Sequence, residues 1–142
     1  MRKLLLSAAL TTVAFLASVG PGVASPAGHW LAKDGWVIRI GSCGRHLCGF
    51  IVKAVPKNDP ETNRPWTDKF NPNPAKRSRP AIGVQTLIAM KNDGSKKWSG
   101  HLYNIDDGKT YPGHLIEVDA STVRVEGCSL GICGGEELTR VK

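Results

Sequence analysis

The chain has 142 residues, with 19 basic and 12 acidic side chains and a formal net charge of +7 at neutral pH. Two of the cations lie in residues 1–24, so the remaining 118 residues carry a net charge of +5, an excess that does not by itself indicate nucleic-acid binding. A segment of 118 residues fits one domain and excludes a multidomain arrangement.

The first 24 residues have the pattern of a cleaved bacterial signal peptide. Residues 1–3 form a short basic start, residues 4–19 are apolar, and residues 22–24 supply the small side chains that signal peptidase reads. A transmembrane anchor is the alternative, but the apolar run is short and glycine and proline interrupt it. We therefore predict a periplasmic or secreted protein whose mature domain, residues 25–142, has no transmembrane segment.

Eight segments have the alternating or β-branched pattern of strands. In chain order they are residues 28–31, 36–40, 50–55, 82–90, 98–103, 110–118, 122–126 and a last segment that ends at residue 141. Tight turns join most of them, and Pro112 predicts a break or bulge in the sixth. Eight antiparallel strands close into a small barrel without exposed edges. We predict an all-β fold, a small closed antiparallel barrel of about eight strands with one long proline-rich loop.

The four cysteines form two C-x4-C pairs, Cys43 with Cys48 and Cys128 with Cys133. In an exported chain they predict two disulfides, for which three connectivities are possible. Each pair brackets the loop of its own hairpin, where flanking residues face each other across the ladder, so the two local bonds are favoured. A zinc site built from all four cysteines is the alternative, but the usual spacing for zinc is C-x2-C.

The proline-rich loop, residues 56–80, has six prolines and no periodicity. So long a segment without structure in a small domain indicates function or mobility. Lys76, Arg77 and Arg79 lie close together just before the next strand. They predict either an anion site on the surface, or a structural role in which Arg77 or Arg79 folds back over the barrel and pairs with Asp68.

No motif in the chain indicates a reaction or a cofactor. A nucleophile elbow, a P-loop, a G-x-G-x-x-G loop and the H-x-x-x-H spacing are all missing from the sequence. Asp68, Asn71 and Asn73 could supply oxygen ligands for calcium, but Asn before Pro is more simply read as an Asx turn. We predict no metal and no cofactor.

The aromatic side chains of the domain suggest either a small-molecule pocket or the filled core of a narrow barrel. Glycines at Gly83 and Gly100 lie in predicted strands and leave space or permit bends, which tilts toward a cavity, but the filled core stays the stronger expectation. The aromatic set is Trp30, Trp36, Phe50, Trp66, Phe70, Trp98, Tyr103 and Tyr111.

Short motifs follow one another in order from residue 28 to residue 140. They include Gly28-x-Trp30, Leu47-Cys48-Gly49, Asp68-x-x-Asn71-Pro72, Arg77-x-Arg79-Pro80, Asp107-Gly108-Lys109-Thr110-Tyr111 and Thr139-Arg140. Together they resemble the bacterial exported family catalogued as domain of unknown function 2147. The resemblance implies export and a lipocalin-like barrel, and it implies no reaction. The chain departs from the family pattern at Leu138, where a Trp is expected, and at Ile105, where a Pro is expected.

Gly28-x-Trp30 near the start and Arg140 near the end also resemble the arrangement that closes lipocalin barrels. There an Arg of the last strand lies over the Trp of the first. A guanidinium on an indole face gains about 0.5–2 kcal/mol of cation–π energy. The resemblance implies a structural role for Trp30 and Arg140.

Three functional hypotheses follow. The first is a non-enzymatic exported barrel that binds a small apolar or amphipathic ligand or an envelope component. The second is a structural or adaptor protein whose basic loop contacts an anionic partner such as a cell-wall polymer or a lipid headgroup. The third is an unrecognised enzyme. An apolar cavity of several hundred Å3, on the order of known ligand pockets, would favour the first. The candidate binding residues are Asp68, Asn71, Lys76, Arg77, Arg79, Trp98, Tyr103 and Tyr111.

Overall fold

The computed structural model describes residues 25–142, so the predicted leader lies outside the described residues. The strands are β1 Gly28–Leu31, β2 Trp36–Cys43, β3 His46–Ala54, β4 Asn58–Asp59, β5 Arg64–Pro65, β6 Gln85–Asn92, β7 Lys97–Asn104, β8 Lys109–Asp119, β9 Thr122–Ser129 and β10 Ile132–Val141. Within residues 25–142 no helix is long and apolar enough to cross a membrane.

Eight of these strands form one closed antiparallel barrel in the order β1-β10-β9-β8-β7-β6-β3-β2. The remaining two, β4 and β5, pair only with each other inside the proline-rich loop. The predicted all-β barrel of eight strands is confirmed. Closure by the β1–β10 pair leaves no free edge in the barrel, because each strand is hydrogen-bonded on both sides.

Several bounds of the predicted strands are wrong; the third segment, for example, begins at His46 instead of residue 50. Two further differences have a local cause. The fourth segment begins at Gln85 instead of Ile82, because Gly83 has φ +95° and forms a turn that reaches back to the carbonyl of Ile51. Pro112 does not interrupt β8, where it pairs in register with His101 of β7. The pairing of β8 with β9 begins only at the next residue, a position where the missing N–H is tolerated.

The strand directions alternate, so the connections alternate between two ends of the barrel. We call one end the closed end. The start of β1, the β2–β3 turn and the β8–β9 turn lie there. The β1–β2 turn, the proline-rich loop, the β7–β8 turn and the β9–β10 turn lie at the opposite end, the open end.

Arg140 and Trp30 seal the closed end. The Arg140 guanidinium carbon lies 4.2 Å from the centroid of the Trp30 ring, and Trp30 is fully buried. Arg140 also donates hydrogen bonds to the carbonyls of Ala120, Ala27 and Ser25 at 2.7, 2.9 and 3.0 Å. The contact joins three chain segments, so it plays the structural role that the sequence resemblance implies. Leu138 is also fully buried in the core beside this end.

Each disulfide joins two cysteines within one hairpin, and the two disulfides lie at opposite ends of the barrel. Cys128 lies directly opposite Cys133, with 4.0 Å between the Cα atoms. Cys43 does not face Cys48 as predicted. It pairs with His46 because the turn is tighter than the loop between the cysteines, but the Cα atoms are still only 5.9 Å apart. All four thiols are used, so the zinc alternative does not describe this structure.

The proline-rich loop is structured, contrary to the prediction. It contains the β4–β5 ribbon and a single 3-10 turn at Pro74–Lys76. Trp66 packs edge to face on Trp36 of the barrel with ring centroids 5.4 Å apart, and its indole donates to the carbonyl of Pro56 at 2.9 Å. Local turns and aromatic packing hold the segment, a pattern that periodicity alone does not reveal.

Candidate functional site

A cavity of about 550 Å3 lies in the barrel at its open end. Most of its wall is apolar, from side chains of six neighbouring strands. They include Ile38, Ile51, Leu87, Leu102, Tyr111 and Val125. The closed half of the barrel is filled by larger buried side chains, among them Trp30, Leu115 and Leu138. The barrel is therefore a filled core at one end and a pocket at the other.

Glycines of the last two strands help to make this space. Gly127 and Gly134 line the cavity, and a Cβ atom at Gly134 would meet no other atom within 4 Å. The glycines singled out from the sequence have other roles. A Cβ atom at Gly100 would come within 2.6 Å of the carbonyl oxygen of Ile88, so this glycine allows two strands to approach, and Gly83 forms a turn.

Three carboxylates stand around the mouth of the cavity, and we call them the acidic rim: Asp34, Asp106 and Glu136. Asp34 lies in the β1–β2 turn and Asp106 in the β7–β8 turn. Glu136 lies on β10, where its Oε2 accepts a hydrogen bond from the backbone N–H of Lys33 at 3.0 Å. The backbone N–H of Asp106 is held by Asn104 Oδ1 at 3.0 Å. Short turns therefore position the rim.

The carboxyl of Asp34 is electrostatically perturbed. Burial against the cavity raises its pKa from 3.8 to about 6, and the hydrogen bond and negative charge of Asp106 and the charge of Glu136 act in the same direction. The N–H of Trp36 opposes them and lowers the pKa. The raised pKa of Asp34 thus reflects desolvation first and the neighbouring acidic groups second.

Several polar residues interrupt the apolar wall, among them Thr86, Asn104 and Ser129. Thr86 is 8% exposed, and its Oγ1 makes no hydrogen bond to any described residue. Buried hydroxyls nearly always have a partner. Because this oxygen is buried and does not open into the cavity, it offers no hydrogen bond to a ligand there.

A second polar cluster fastens the proline-rich loop to the barrel, and we call it the loop anchor: Asp68, Asn71, Arg79 and Tyr103. Asp68 is fully buried, and the Tyr103 hydroxyl donates to its Oδ1 at 2.6 Å. Asn71 Nδ2 donates to Oδ2 at 2.8 Å, and Arg79 donates to the same oxygen from Nε and from a terminal nitrogen, at 2.9 and 2.7 Å. Both oxygens of the carboxylate are therefore engaged.

The tyrosine of the loop anchor is held in its neutral form. Burial, followed by the hydrogen bond to Asp68 and the charge of that carboxylate, raises the pKa of Tyr103 to about 12. Tyr103 therefore acts as a hydrogen-bond donor over the physiological pH range. This hydrogen-bond network holds the proline-rich loop against the barrel.

The structural role predicted for the arginines of the loop is observed, including the pairing of Arg79 with Asp68. Arg79 belongs to the loop anchor, and Arg77 Nε donates to the carbonyl of Asn71 at 2.8 Å. Lys76 is exposed at the end of the 3-10 turn. Two of the three cations therefore stabilise the loop, so fewer cations remain to bind an anionic partner.

The asparagines considered as calcium ligands make Asx turns. Asn71 Oδ1 accepts from the N–H of Asn73 at 2.9 Å, and Asn73 Oδ1 accepts from the N–H of Ala75 at 3.0 Å. Each side-chain oxygen thus fixes the backbone two residues further on. Because Asp68 is already bound by Arg79, these residues form no oxygen cage for a cation.

The other predicted binding residues divide between the core and the pocket. Trp98 is half-buried and packs against the core outside the cavity lining. Tyr111 lines the cavity, and its hydroxyl donates to Asp107 Oδ2 at 2.6 Å. Tyr103 contributes to the wall as well as to the loop anchor.

Ser99, His114 and Asp93 come together on the barrel surface but do not form a catalytic triad. Ser99 Oγ is hydrogen-bonded to His114 Nδ1 at 2.9 Å and donates to Asp93. The serine is the central member, whereas in a triad the histidine lies between the nucleophile and the acid. The arrangement therefore does not activate Ser99 for nucleophilic attack.

Sequence reasoning missed the acidic rim. Asp34 and Asp106 lie in segments that join predicted strands, and counting alternating connections along an eight-stranded meander places both at the same end of the barrel. That count is a usable signal. Glu136 had no local signal, because it is one of two consecutive glutamates and only the register of β10 decides which one faces inward.

A closed barrel with one sealed end and one open pocket defines a lipocalin-like protein. Protein HP1028 from the human pathogen Helicobacter pylori, a solved structure described as belonging to the lipocalin family, is similar with a TM-score of 0.68. The two chains are 20% identical, and the match covers 84% of each, so the likeness concerns the fold.

The chain belongs to the family described as "Uncharacterized protein conserved in bacteria (DUF2147)", whose profile matches residues 28–140. The suspected family is thereby confirmed. No curated protein matches the chain.

Proposed function

We propose that this protein is a non-enzymatic binding protein of the bacterial envelope that holds a small apolar or amphipathic ligand in its barrel. The observation that carries the proposal is the cavity of about 550 Å3 at the open end. Its volume lies within the roughly 300–1,000 Å3 of known ligand pockets, and its wall has the expected composition, mostly apolar with a few polar groups.

The two halves of the barrel support this reading. Arg140 and Trp30 close one end, so a ligand enters and leaves through the open end. Most of the pocket wall lies on paired strands, whose backbone hydrogen bonds hold it in place without a ligand. A largely preformed pocket lowers the entropic cost of binding.

An oxidising compartment fits the same proposal. The domain has two hairpin disulfides. Disulfides in general persist in the periplasm or outside the cell and are rare in cytosolic proteins. The predicted leader would deliver the chain there.

A cavity-filling substitution tests the proposal. Gly134→Phe places a large ring at a lining position where the space is open, and Gly41→Phe places the same ring outside the cavity, where a Cβ atom would meet only Arg39 at 3.8 Å. We expect Gly134→Phe to weaken binding of 1-decanol at least tenfold, by calorimetric titration, with the fold intact by circular dichroism. Gly41→Phe should bind like the wild type.

Native mass spectrometry of protein purified from its own envelope gives an independent readout. We expect a co-purifying mass in the wild type and a reduced one in Gly134→Phe. An absence of any bound mass, together with equal decanol binding by both glycine variants, would refute a ligand in the barrel.

A further inference from the structure

We propose that the ligand is an amphiphile with a cationic head, whose apolar chain lies in the barrel and whose amine meets the acidic rim. This inference rests on the proposed function and specifies its ligand class. The described domain carries a net charge of +5, yet the mouth of its pocket is lined by carboxylates.

Among the described residues, the acidic rim makes no salt bridge to a cationic side chain. Salt bridges within residues 25–142 involve Asp59, Glu61, Asp68 and Glu126, and none reaches Asp34, Asp106 or Glu136. The rim carboxylates make contacts with backbone N–H groups instead, from Lys33 and Trp36. Three acids that converge on one opening without a counter-charge repel one another, and a bound cation relieves that repulsion.

The pocket behind the rim supplies the second, independent sign of a ligand. Its interior is mainly apolar, with Ile38, Ile51 and Val125 on the wall. Together with the acidic rim, this interior fits a molecule with an apolar body that is positively charged where it leaves the barrel.

A bare metal ion fits the rim poorly. Among the described residues, three potential ligand side chains come close enough to hold an ion only at His114, Cys128 and Cys133, and both of those sulfurs are in a disulfide. The three rim carboxylates do not all lie within the 4.8 Å of one another that such a set requires. Ammonium is a compact charge with several N–H donors, so an amine can contact carboxylates on different sides of an opening.

Three probes of equal chain length test the inference: decylammonium, 1-decanol and decanoate, each below its micelle concentration, titrated calorimetrically at pH 7.5. We expect decylammonium to bind at least tenfold more tightly than 1-decanol, and decanoate to bind most weakly. The preference for decylammonium should decrease as salt is added, because the rim is exposed to solvent.

Rim variants assign the preference to these carboxylates. Asp34→Asn with Asp106→Asn, and the triple variant that adds Glu136→Gln, should bind decylammonium no more tightly than 1-decanol. Glu137→Gln is the matched control, since this exposed neighbour on the same strand does not line the cavity, and it should keep the wild-type preference. Thermal melts establish that each variant is folded.

The outcomes separate the two proposals. Equal binding of decylammonium and 1-decanol by the wild type, tighter binding of decanoate, or a preference that survives in the triple variant would overturn the cationic ligand and leave the pocket proposal standing. Failure of every probe to bind the wild type would overturn both.

Discussion

The loop anchor makes a quantitative prediction about stability. Tyr103→Phe removes one hydroxyl and keeps the ring, so it deletes the 2.6 Å hydrogen bond to Asp68 in a fully buried site. A hydrogen bond to a charged group contributes about 1.5–3 kcal/mol. Arg79 and Asn71 still hold the carboxylate, so we expect a loss of about 2 kcal/mol in the free energy of unfolding.

Asp68→Ala has a larger effect because it removes the common acceptor. Breaking a buried ion pair from one side costs about 3–5 kcal/mol. The Arg79 side chain is 40% exposed and can turn toward water, so we expect the lower end of that range, about 3 kcal/mol. With Asp68 gone, the Tyr103 hydroxyl has lost its main partner. The double variant should therefore cost about 2 kcal/mol less than the sum of the single variants.

Urea unfolding of the two single variants and the double variant measures these quantities. Tyr111→Phe is the matched control: its hydroxyl donates to Asp107 over the same 2.6 Å, but at an exposed site, so we expect a clearly smaller loss than for Tyr103→Phe. If the two Tyr→Phe variants lose equal stability, or if the effects of Tyr103→Phe and Asp68→Ala simply add, burial does not strengthen the anchor and the reasoning is refuted.

Three further variants probe the closed end, the rim and the loop. Arg140→Ala should cost about 2 kcal/mol of unfolding free energy, because it loses the cation–π contact and the carbonyl hydrogen bonds. Its control is Arg39→Ala on the exposed face of β2, which should cost less than about 0.5 kcal/mol. Equal shifts in melting temperature would contradict barrel closure by Arg140. The folded-state pKa of Asp34 is raised to about 6, so its contribution to stability is present below pH 3.8 and is lost as pH rises through 6. Asp34→Asn should then match the wild type near pH 4 and exceed it by about 1 kcal/mol above pH 6, a figure reduced for solvent screening; a pH-independent difference in urea midpoints would argue against this. Lys76→Ala with Arg77→Ala should lower the melting temperature without changing binding to anionic envelope polymers. Intact stability with lost, salt-sensitive binding would instead support the adaptor hypothesis.

Local patterns in the sequence were enough to predict the barrel. Period-two alternation and turn residues located eight strands, because each strand buries one face and each turn needs particular backbone angles. The disulfides followed from spacing within single hairpins, and the contact of Arg140 with Trp30 followed from a family resemblance. The strand predictions that are wrong at Gly83 and Pro112 lie where pairing with a neighbouring strand decides what a backbone-disrupting residue does.

The pocket and its rim could be decided only by the tertiary structure. A cavity is space that no side chain fills, so it depends on glycines and apolar side chains contributed by many strands, such as Gly134 and Ile38. The rim gathers Asp34, Asp106 and Glu136 from distant parts of the chain. Each alone is an ordinary polar residue of a turn or strand. They share an electrostatic environment only because closure of the barrel brings them to one opening, and Coulomb interactions depend on distance in space and not on separation along the chain.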